Sequence, residues 1–427
     1  MFYLKKANTF QGVSFQELAQ QFGTPLYLYD EQMIRAQCQT FLSNFVHPFV
    51  RSEVIYASKA FLTKAMATLI HQEGLSLDVV SGGELFTAVQ GKFPVNRLYF
   101  HGNNKSRKEL LEAIEAHVGT IIIDSEAEFL LLQSILPNNT NQRVMLRINP
   151  GIEAHTHEYI QTTKNDSKFG ESIFADSTMS LISRISKDSR FDFVGLHSHI
   201  GSQIFEESSF YEHSRAVLRY VKAITVQTKV VVKEINLGGG FGVEYTSADQ
   251  GIDLIEVLPK MLDTIYQAAM DLEIAIPKVL IEPGRAIVAQ AGSTLYEVGS
   301  TKQTVEGKNY LMVDGSMADH IRTALYQAIY DAVLISDREI SSSSVYTVAG
   351  KACESGDVLI RSIQLPQAQA GDYLLVKTTG AYHYSMASNY NRLTKPAVVF
   401  VNNGVCRVVV KKETYADLIR LDVDMEE

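Results

Sequence analysis

From about residue 50 to residue 285, short apolar runs alternate with longer stretches whose apolar residues recur every three or four positions. Short apolar runs predict buried strands, and the longer periodic stretches predict helices that pack one face against them. The predicted strands cover residues 54–58, 77–80, 97–100, 120–123, 143–148, 193–198, 231–237 and 278–282. This repeated strand–helix order favours a closed parallel (β/α)8 barrel, with an open doubly wound sheet as the alternative.

The pattern changes after Arg285, where short β-rich runs are separated by glycine or asparagine turns. Such runs predict a C-terminal antiparallel β-domain. A capping box from Ser14 to Glu17 predicts a short helix, and a strand near residues 2–6 is expected to join the β-domain. The predicted domains are therefore a barrel at 30–284 and a β-domain at 1–29 and 285–427. Mobile loops are expected at 162–168 and 341–344.

Polar or glycine-rich clusters follow the predicted barrel strands. In chain order they read ASKAF, DVVSGGE, HGNNKS, INPG, HSHIGSQ, LGGGFG and EPGR. A (β/α)8 barrel builds its active site from the loops at the carboxyl ends of its strands, which meet on one rim. The clusters therefore predict an enzyme whose site lies at that rim.

Lys59 directly follows the first predicted strand and precedes the apolar stretch FLTKAMATLI. We expect its amine to be withdrawn from water, which lowers the pKa of a lysine and makes the amine nucleophilic. Such an amine can bind a cofactor aldehyde covalently. A lysine that simply extends into solvent from a strand end is the alternative.

Three consecutive glycines, from Gly238 to Gly240, follow the seventh predicted strand. Glycines let backbone N–H groups surround a phosphate, and barrels often bind phosphate after strands seven and eight. Gly284 and Arg285, after the eighth strand, fit the same anion. A tight corner that binds nothing is the alternative interpretation.

Glu282 closes the eighth predicted strand, where a buried carboxylate requires a partner. A pyridine nitrogen would serve, because a carboxylate beside it keeps the ring protonated and able to accept electrons. The alternative is an ion pair with Arg285.

His197 and His199 alternate along one predicted strand and are expected to face opposite ways. His199 is the better candidate for the site, because Gly201 and Ser202 follow it and add a hydroxyl that can bind an anion. His197 is expected to be a satisfied core histidine. The alternation argues against a zinc site made from this pair, and no metal is expected.

Two motifs of the β-domain, Cys353-Glu354 and Gly380-Ala381-Tyr382, lie at predicted turns. A cysteine beside a carboxylate can act as a proton donor with a tuned pKa. Taken singly, either motif is also common in turns that carry no function.

Composition narrows the function classes. At 427 residues the chain exceeds the ~250 of a typical barrel, which leaves room for the second domain. A net charge of −9, without a basic run, argues against nucleic-acid binding. Three widely spaced cysteines form no disulfide framework, and no stretch reaches the ~18 apolar residues of a membrane span. A cytoplasmic location is expected.

Together the clusters resemble the fold-type III pyridoxal-phosphate decarboxylases over nearly the whole chain. The motifs that carry the resemblance are TPLYLYD, YASKA, DVVSGGEL, HGNNKS, KFG, HSHIGSQ, LGGGFG, EPGR, ACESGD and GAYHYSMASNYN. The resemblance implies an alanine-racemase-like barrel plus β-domain, pyridoxal 5′-phosphate as cofactor, and a homodimer with shared active sites.

The resemblance also implies roles for single residues. Lys59 would hold the cofactor covalently, with His199 stacked on the ring and Glu282 on its nitrogen. The other expected cofactor-binding residues are Ser202, Gly239, Gly240, Pro283, Gly284, Arg285 and Tyr382. The expected substrate-binding residues are Arg285, Arg322, Tyr326, Glu354 and Tyr382. Cys353 would donate the proton that replaces carbon dioxide, and it would reach the site with Glu354 from the partner subunit.

The implied reaction is decarboxylation of meso-2,6-diaminopimelate to L-lysine and carbon dioxide, the last step of lysine biosynthesis. The rival is a sibling enzyme for ornithine, arginine, lysine or a siderophore or antibiotic intermediate. Members that act on ornithine typically have the motif Cys-Asp-Gly where this chain has Cys353-Glu354-Ser355. Glu354 and Arg322 therefore favour a substrate with two carboxylates. A racemase would place an arginine, not a carboxylate, at the ring nitrogen. A catalytically dead binding protein is the rival from another class, and the presence of Lys59 and Cys353 counts against it.

Three positions depart from the family pattern. Phe61 replaces the usual asparagine after the lysine, NYNRLTKP replaces an arginine–proline ending, and Thr323 stands where proline is usual after Arg322. None of them removes a catalytic group. Thr323 is expected to loosen the loop that carries Arg322.

Overall fold

The computed structural model describes residues 4–151 and 167–425. The chain divides into two compact units. The first, called here the barrel unit, consists of Arg35–Val243 and Gln250–Ile287. The second, called the β unit, consists of Met1–Ile34, Glu244–Asp249 and Val288–Glu427.

The barrel unit contains a closed ring of eight parallel strands. In ring order they are Ser52–Ala57, Ser76–Val79, Leu98–Phe100, Thr120–Ile123, Gln142–Asn149, Phe191–His197, Glu234–Asn236 and Lys278–Ile281. The eighth strand returns to the first, with Val279 opposite Ser52. The predicted closed (β/α)8 barrel is therefore confirmed, and the open sheet is wrong.

Apolar side chains fill the inside of the ring. Six of the eight strands contribute to this cluster, whose members are Ile55, Tyr99, Ile122, Met145, Val194 and Leu280. Each is at most 5% exposed. Because the middle of the barrel is packed in this way, polar side chains can gather only at the strand ends.

Helices alternate with the strands of the barrel unit. They are Lys64–Gln72, Gly82–Gln90, Arg107–Glu115, Glu126–Ile135, Asp176–Lys187, Glu207–Thr228 and Leu254–Asp271. Helices Glu31–Asn44 and Arg285–Val288 lie where the chain passes between the units. Capping side chains start several of them; the hydroxyl of Ser106 and the carboxylate of Glu109 form a reciprocal capping box.

Some strand bounds differ from the sequence prediction. The seventh strand starts at Glu234 instead of residue 231, and Val231 is 59% exposed, so this apolar residue lies outside the core. A short strand, Glu171–Ser172, pairs in parallel with the end of the fifth strand. Of the loop expected at 162–168, residues 162–166 lie outside the described residues. Ser343 and Ser344 of the other expected loop belong to a strand.

The main sheet of the β unit is mixed. Its strands are Leu26–Asp30, Gly292–Gln303, Asn309–Val313, Ala332–Ile335, Ser343–Ala349, Val358–Pro366, Tyr373–Val376, Ala397–Asn402 and Val405–Val410. Most pairings are antiparallel, as predicted. Two are parallel: Leu26–Asp30 with Ala397–Asn402, and Asn309–Val313 with Ser343–Ala349. The second domain is confirmed, with this correction to its strand directions.

Smaller elements complete the β unit. A hairpin of Thr9–Phe10 and Val13–Ser14 leads into helix Phe15–Phe22, which begins with the predicted capping box at Ser14. Helices Arg322–Tyr326 and Tyr415–Ile419 and the 3-10 turns Tyr384–Met386 and Tyr390–Arg392 follow later in the chain. Leu4 makes a single bridge to Ile335. Of the strand expected near residues 2–6, residues 2 and 3 lie outside the described residues, and Lys5 and Lys6 belong to no strand. Throughout the described ranges, every helix is too short or too polar to cross a bilayer.

Candidate active site

Lys59 lies on a 3-10 turn, Ser58–Ala60, that directly follows the first barrel strand. Asp78 accepts a hydrogen bond from the Ser58 backbone N–H at 2.7 Å, and Glu84 accepts one from its hydroxyl at 2.9 Å. The Lys59 side chain is exposed, so the expected burial of its amine is wrong. The reason is that the turn carries this side chain past the last residue of the strand. The position of the backbone is nevertheless fixed by buried Asp78 and half-buried Glu84.

Glu282 follows the eighth strand and is 8% exposed. Its Oε1 accepts a hydrogen bond from Asn236 Nδ2 at 2.7 Å and lies 2.8 Å from His101 Nε2. Its Oε2 lies 3.1 Å from His197 Nε2. The alternative ion pair with Arg285 is therefore wrong, because the side chains that contact this carboxylate are His101, His197 and Asn236.

The protonation of this cluster follows from its contacts. Burial alone would raise the pKa of Glu282, but His101 and His197 hold that pKa well below its usual value. Burial, with the Glu282 charge nearby, raises the pKa of Asp78 to about 7. Burial lowers the pKa of His197 to about 4. At neutral pH the cluster thus presents an ionised Glu282 beside a neutral His197.

A carboxylate has about four acceptor positions on its two oxygens. In the described part of the chain, Oε1 of Glu282 has two hydrogen-bond partners and Oε2 has one. Oε2 can therefore accept one more proton donor, such as a ring N–H, without losing any of these contacts.

His101, His197 and Glu282 also offer three potential metal-binding atoms within 4.8 Å of one another. Two imidazoles and a carboxylate are common zinc ligands. Here, however, the carboxylate already joins both rings through hydrogen bonds. We interpret the group as a support for the Glu282 carboxylate.

The contacts of His197 differ from the sequence prediction. It is buried, as expected of a core histidine, but its Nε2 contacts the site carboxylate and its Nδ1 has no partner among the described residues. The strand ends at His197. His199 thus lies beyond the strand, where the alternation used to separate the two rings no longer applies.

His199 lies against the glycine turn. Its Nδ1 accepts a hydrogen bond from the Gly239 N–H at 3.2 Å. Burial and the cations of Lys59 and Arg147 hold the pKa of His199 well below its usual value. A neutral imidazole near Lys59 is suited to stack on a cofactor ring, as the sequence predicted for this residue.

The glycines allow close backbone packing at the same rim. A Cβ on Gly239 would lie 2.2 Å from the carbonyl oxygen of Glu282, and one on Gly240 would lie 2.5 Å from that of Gly201. Packing against protein backbone therefore already requires these glycines. The N–H of Gly240 donates to no described residue and stays available for an anion. A phosphate cradle is compatible with this turn but is not the only reason for its sequence.

Arg285 and Ser202 supply the other donors expected to bind an anion. Arg285 Nη2 and Nε donate to Ser202 Oγ at 3.1 and 3.3 Å. Pro283 accepts a hydrogen bond from Ala57 N–H at 3.0 Å, and a Cβ on Gly284 would lie 2.8 Å from that of Ala57. The eighth strand end thus packs directly against the first, which carries Lys59.

A buried ion pair supports the loop that holds His101. Lys105 Nζ lies 2.6 Å from Glu128 Oε1 and donates to the carbonyl oxygens of Gly102 and Ile122, at 2.8 Å each. Burial lowers the pKa of Lys105 and raises that of Glu128. The Glu128 N–H donates to the N-cap hydroxyl of Ser125. Its carboxylate does not complete a capping box, because it accepts from Lys105 and the Asp124 N–H.

In the β unit, three of the expected substrate-binding residues lie together. The guanidinium carbon of Arg322 is 4.8 Å from the ring centre of Tyr326 and 5.4 Å from that of Tyr382. Tyr382 has φ +62°, in the left-handed region that aromatic residues rarely adopt. Such strain is common at functional sites.

Cys353 and Glu354 are both exposed on a turn of the β unit. The Cys353 N–H donates to Asn391 Oδ1 at 2.6 Å, and the Tyr390 hydroxyl lies 3.4 Å from Glu354 Oε2. The turn was expected from the sequence. The contacts to the NYNR segment were not.

Sequence reasoning missed several residues of the barrel rim. It assigned no role to His101, Asn236, Asp78, Glu84 or Lys105. All but Glu84 and Lys105 lie within a barrel strand or directly after one. The rule that selected Lys59 and Glu282, a polar side chain at a strand end, would also have selected His101, Asn236 and Asp78.

Residues 31–289, more than half of the chain, match the family model described as pyridoxal-dependent decarboxylase, pyridoxal binding domain. The chain is 45% identical over 413 residues to the diaminopimelate decarboxylase of Bacillus subtilis (strain 168), covering 96% of this chain and 94% of that relative. It is 44% identical over 412 residues to that of Staphylococcus aureus (strain COL), covering 96% of each.

A solved structure is similar over the same extent. The diaminopimelate decarboxylase of M. jannaschii, in a complex with L-lysine, matches with a TM-score of 0.92 at 31% identity. The match covers 99% of this chain and 98% of that one.

Proposed function

The chain belongs to the pyridoxal-dependent decarboxylases, and from that membership we propose that it converts meso-2,6-diaminopimelate to L-lysine and carbon dioxide. It would thus be a carboxy-lyase acting in the last step of lysine biosynthesis. The observation that carries the proposal is the Glu282 carboxylate. It is buried, ionised and supported by three side chains, and one acceptor position is left.

The residues of the barrel unit fit pyridoxal 5′-phosphate. Lys59 supplies an amine for the aldehyde, and Oε2 of Glu282 can accept the ring N–H. Arg285, Ser202 and the N–H of Gly240 offer donors for the phosphate. The neutral ring of His199 is suited to stack on the pyridine, while Pro283 and Gly284 complete the set from this unit. Tyr382 of the β unit is also proposed to bind the cofactor.

The chemistry that the bound cofactor supplies is an electron sink for the pair of electrons left when the carboxylate departs. The chain's residues set up that step. Glu282 would hold a proton on the ring nitrogen, because an ionised carboxylate favours the charged form of its partner. The bond between the α-carbon and the carboxylate breaks, carbon dioxide leaves, and the Cys353 thiol delivers a proton to the α-carbon.

We further propose that the substrate is held at its non-reacting end. Arg322 would bind the distal carboxylate, with Tyr326 and Tyr382 beside it, and Glu354 would bind the distal ammonium. Arg285 is also proposed to contact the substrate. The guanidinium of Arg322 is buried, and no described carboxylate pairs with it. An unpaired buried cation points to an anionic ligand.

The active site is proposed to be shared in a homodimer located in the cytoplasm. Cys353 and Glu354 are exposed on their turn, as residues that act in a partner's site would be. All three cysteines are free thiols, which suits a reducing compartment.

A side-by-side assay of carbon dioxide release tests the function. Meso-diaminopimelate, L-lysine, L-ornithine and L-arginine are offered to the enzyme with pyridoxal 5′-phosphate at equal concentration. We expect release from diaminopimelate alone to be substantial, because only this substrate offers Arg322 a second carboxylate. Preferred release from ornithine, arginine or lysine would instead identify a sibling decarboxylase.

The absorbance of the purified protein tests the remaining rival. A cofactor bound covalently to Lys59 absorbs at longer wavelength than the free aldehyde. A protein that shows this band but releases no carbon dioxide from any of the four amino acids would contradict the proposed activity.

A further inference from the structure

In the proposed function, the buried cation Arg322 binds the distal carboxylate of the substrate. It is 7% exposed. Its Nε donates to the Tyr330 hydroxyl at 3.1 Å, and the rings of Tyr326 and Tyr382 flank its guanidinium. Across the described residues, the two Nη groups have no carboxylate partner. A guanidinium fixed through Nε can therefore present both Nη groups to one carboxylate in a bidentate pair.

Tyr330 is itself held on several sides. It is 2% exposed. Its ring centre lies 4.7 Å from that of His320, 5.2 Å from that of His383 and 5.3 Å from that of Tyr245, and each contact is close to perpendicular. A ring packed in this way cannot rotate without displacing its neighbours. The phenol oxygen is consequently a fixed acceptor for Arg322.

Thr323 fixes the backbone that carries the arginine. It is 1% exposed, and its Oγ1 lies 2.6 Å from the Leu359 carbonyl oxygen and 3.2 Å from that of Ala328. Helix Arg322–Tyr326 has five residues, too few to be stable by itself, so its orientation depends on such contacts. The expectation that Thr323 loosens this loop is wrong, because its hydroxyl ties the helix to the strand Val358–Pro366.

We propose that Tyr330 and Thr323 are specificity-determining positioning residues: Tyr330 aims the guanidinium of Arg322, and Thr323 anchors its helix, so that the site selects substrates with a second carboxylate. This inference rests on the proposed function, in which Arg322 binds that carboxylate. Neither residue needs to touch the reacting atoms.

Two inhibitors, L-lysine and cadaverine, distinguish the positioning role from a general effect on folding. Removal of one carboxylate from diaminopimelate leaves the distal one, so L-lysine still carries the group that Arg322 would bind. Cadaverine has the same chain and both amines but no carboxylate. The ratio of their inhibition constants therefore reports the carboxylate contact alone, whereas a loosened site would weaken both inhibitors.

The variant Tyr330→Phe removes the acceptor and keeps the ring. We expect the inhibition constant of L-lysine to rise about tenfold or more, the effect of one hydrogen bond to a charged group, while that of cadaverine stays within about twofold. On diaminopimelate, KM should rise more than kcat falls. Equal weakening of the two inhibitors, or no change in either, would overturn the proposal for Tyr330.

The Thr323 variants give a second test that survives if Tyr330→Phe fails to fold. Thr323→Val removes the hydroxyl at nearly constant volume and should shift the inhibitor ratio in the same direction. Thr323→Ser keeps the hydroxyl and should restore the wild-type ratio. If the valine and serine variants give the same ratio, the anchoring role is wrong.

The proposed function is tested separately, by carbon dioxide release from diaminopimelate by the unmodified enzyme. An enzyme that fails this assay, but whose dissociation constants for L-lysine and cadaverine measured by calorimetry still change in the expected ratio, would refute the reaction and leave the positioning of Arg322 intact.

Discussion

In the barrel unit, Glu282 is buried and forms hydrogen bonds with His101, His197 and Asn236. In the β unit, by contrast, Cys353 is exposed, and its backbone N–H donates to Asn391. The barrel carboxylate is held by side chains from three other strand ends. The thiol itself is held by the turn on which it lies.

This difference separates two kinds of site residue. Glu282 is kept ionised and oriented by the fold of its own unit, as preorganised electrostatic groups are. Cys353 and Glu354 are presented outward, as residues that complete a site elsewhere would be. Cofactor chemistry would accordingly belong to the barrel unit, and proton delivery and substrate end recognition to the β unit.

The largest loss of turnover is expected when Lys59 of the barrel unit or Cys353 of the β unit is replaced by alanine. Lys59→Ala should abolish both turnover and the absorbance of covalently bound cofactor, since Lys59 is the proposed source of the amine. Cys353→Ala should also lose nearly all turnover, because the proposed proton donor is gone, yet keep the absorbance. Spectra and carbon dioxide release of both variants are measured together. An unchanged spectrum in Lys59→Ala would remove Lys59 from its assigned role.

Glu282→Gln tests the preorganised carboxylate. A neutral amide cannot hold the proton on the ring nitrogen, so kcat should fall at least tenfold, a barrier increase of about 1.4 kcal/mol or more. The cofactor should still bind, as its absorbance will show. Turnover within about threefold of the wild type would mean that the ring needs no ionised carboxylate.

Subunit mixing tests whether the outward-facing thiol acts in a partner's site. Lys59→Ala and Cys353→Ala homodimers are mixed, dissociated and allowed to reassociate. Half of the dimers should then be hybrids with one intact site each, so about a quarter of the wild-type activity should return. The control is the same mixture without dissociation, which should stay inactive. Fully exchanged mixtures without activity would place both residues in one chain's site.

The smallest expected effect concerns His320, whose ring contacts that of Tyr330. Burial, with Arg322 nearby, lowers the pKa of His320 to about 3, whereas an unfolded histidine titrates near 6.5. As the pH falls below 6.5 the unfolded chain binds the extra proton, so the folded state loses stability. From pH 7.5 to 5.5 this group should cost about 1.4 kcal/mol.

The substitution His320→Phe removes that titration and keeps a ring in the cluster. Its unfolding midpoint should therefore fall less than that of the wild type over the same pH interval, as measured by thermal scans. The same substitution at exposed His71 is the control and should leave the pH dependence unchanged. Parallel losses in the His320 variant and the wild type would show that His320 does not contribute.

Much of the barrel could be predicted from the sequence because burial imposes a simple pattern. Strands enclosed on both faces must be apolar, so polar residues such as Lys59 and Glu282 stand out where strands end. The partners of Glu282 could not be predicted in the same way. His101 and Asn236 are 181 and 46 residues away in sequence, and no spacing rule states which strand ends meet across a ring.

The β unit was harder to predict for a related reason. Leu26–Asp30 pairs in parallel with Ala397–Asn402, from the opposite end of the chain, and local turn signals contain no information about such a pairing. The role of Thr323 depends on one hydroxyl meeting the Leu359 carbonyl, 36 residues away. The sequence alone suggested the opposite effect, since it shows the missing proline but not the new contact.

The buried pair of Lys105 and Glu128 has a consequence for how this protein can change. Replacing either residue alone leaves an uncompensated buried charge, which typically costs 3–5 kcal/mol, whereas replacing both with apolar residues can be neutral. The two positions therefore behave as a single unit of variation, although they are 23 residues apart. In a library of single substitutions both should tolerate almost nothing, and acceptable alternatives should emerge only from libraries that randomise the two codons together.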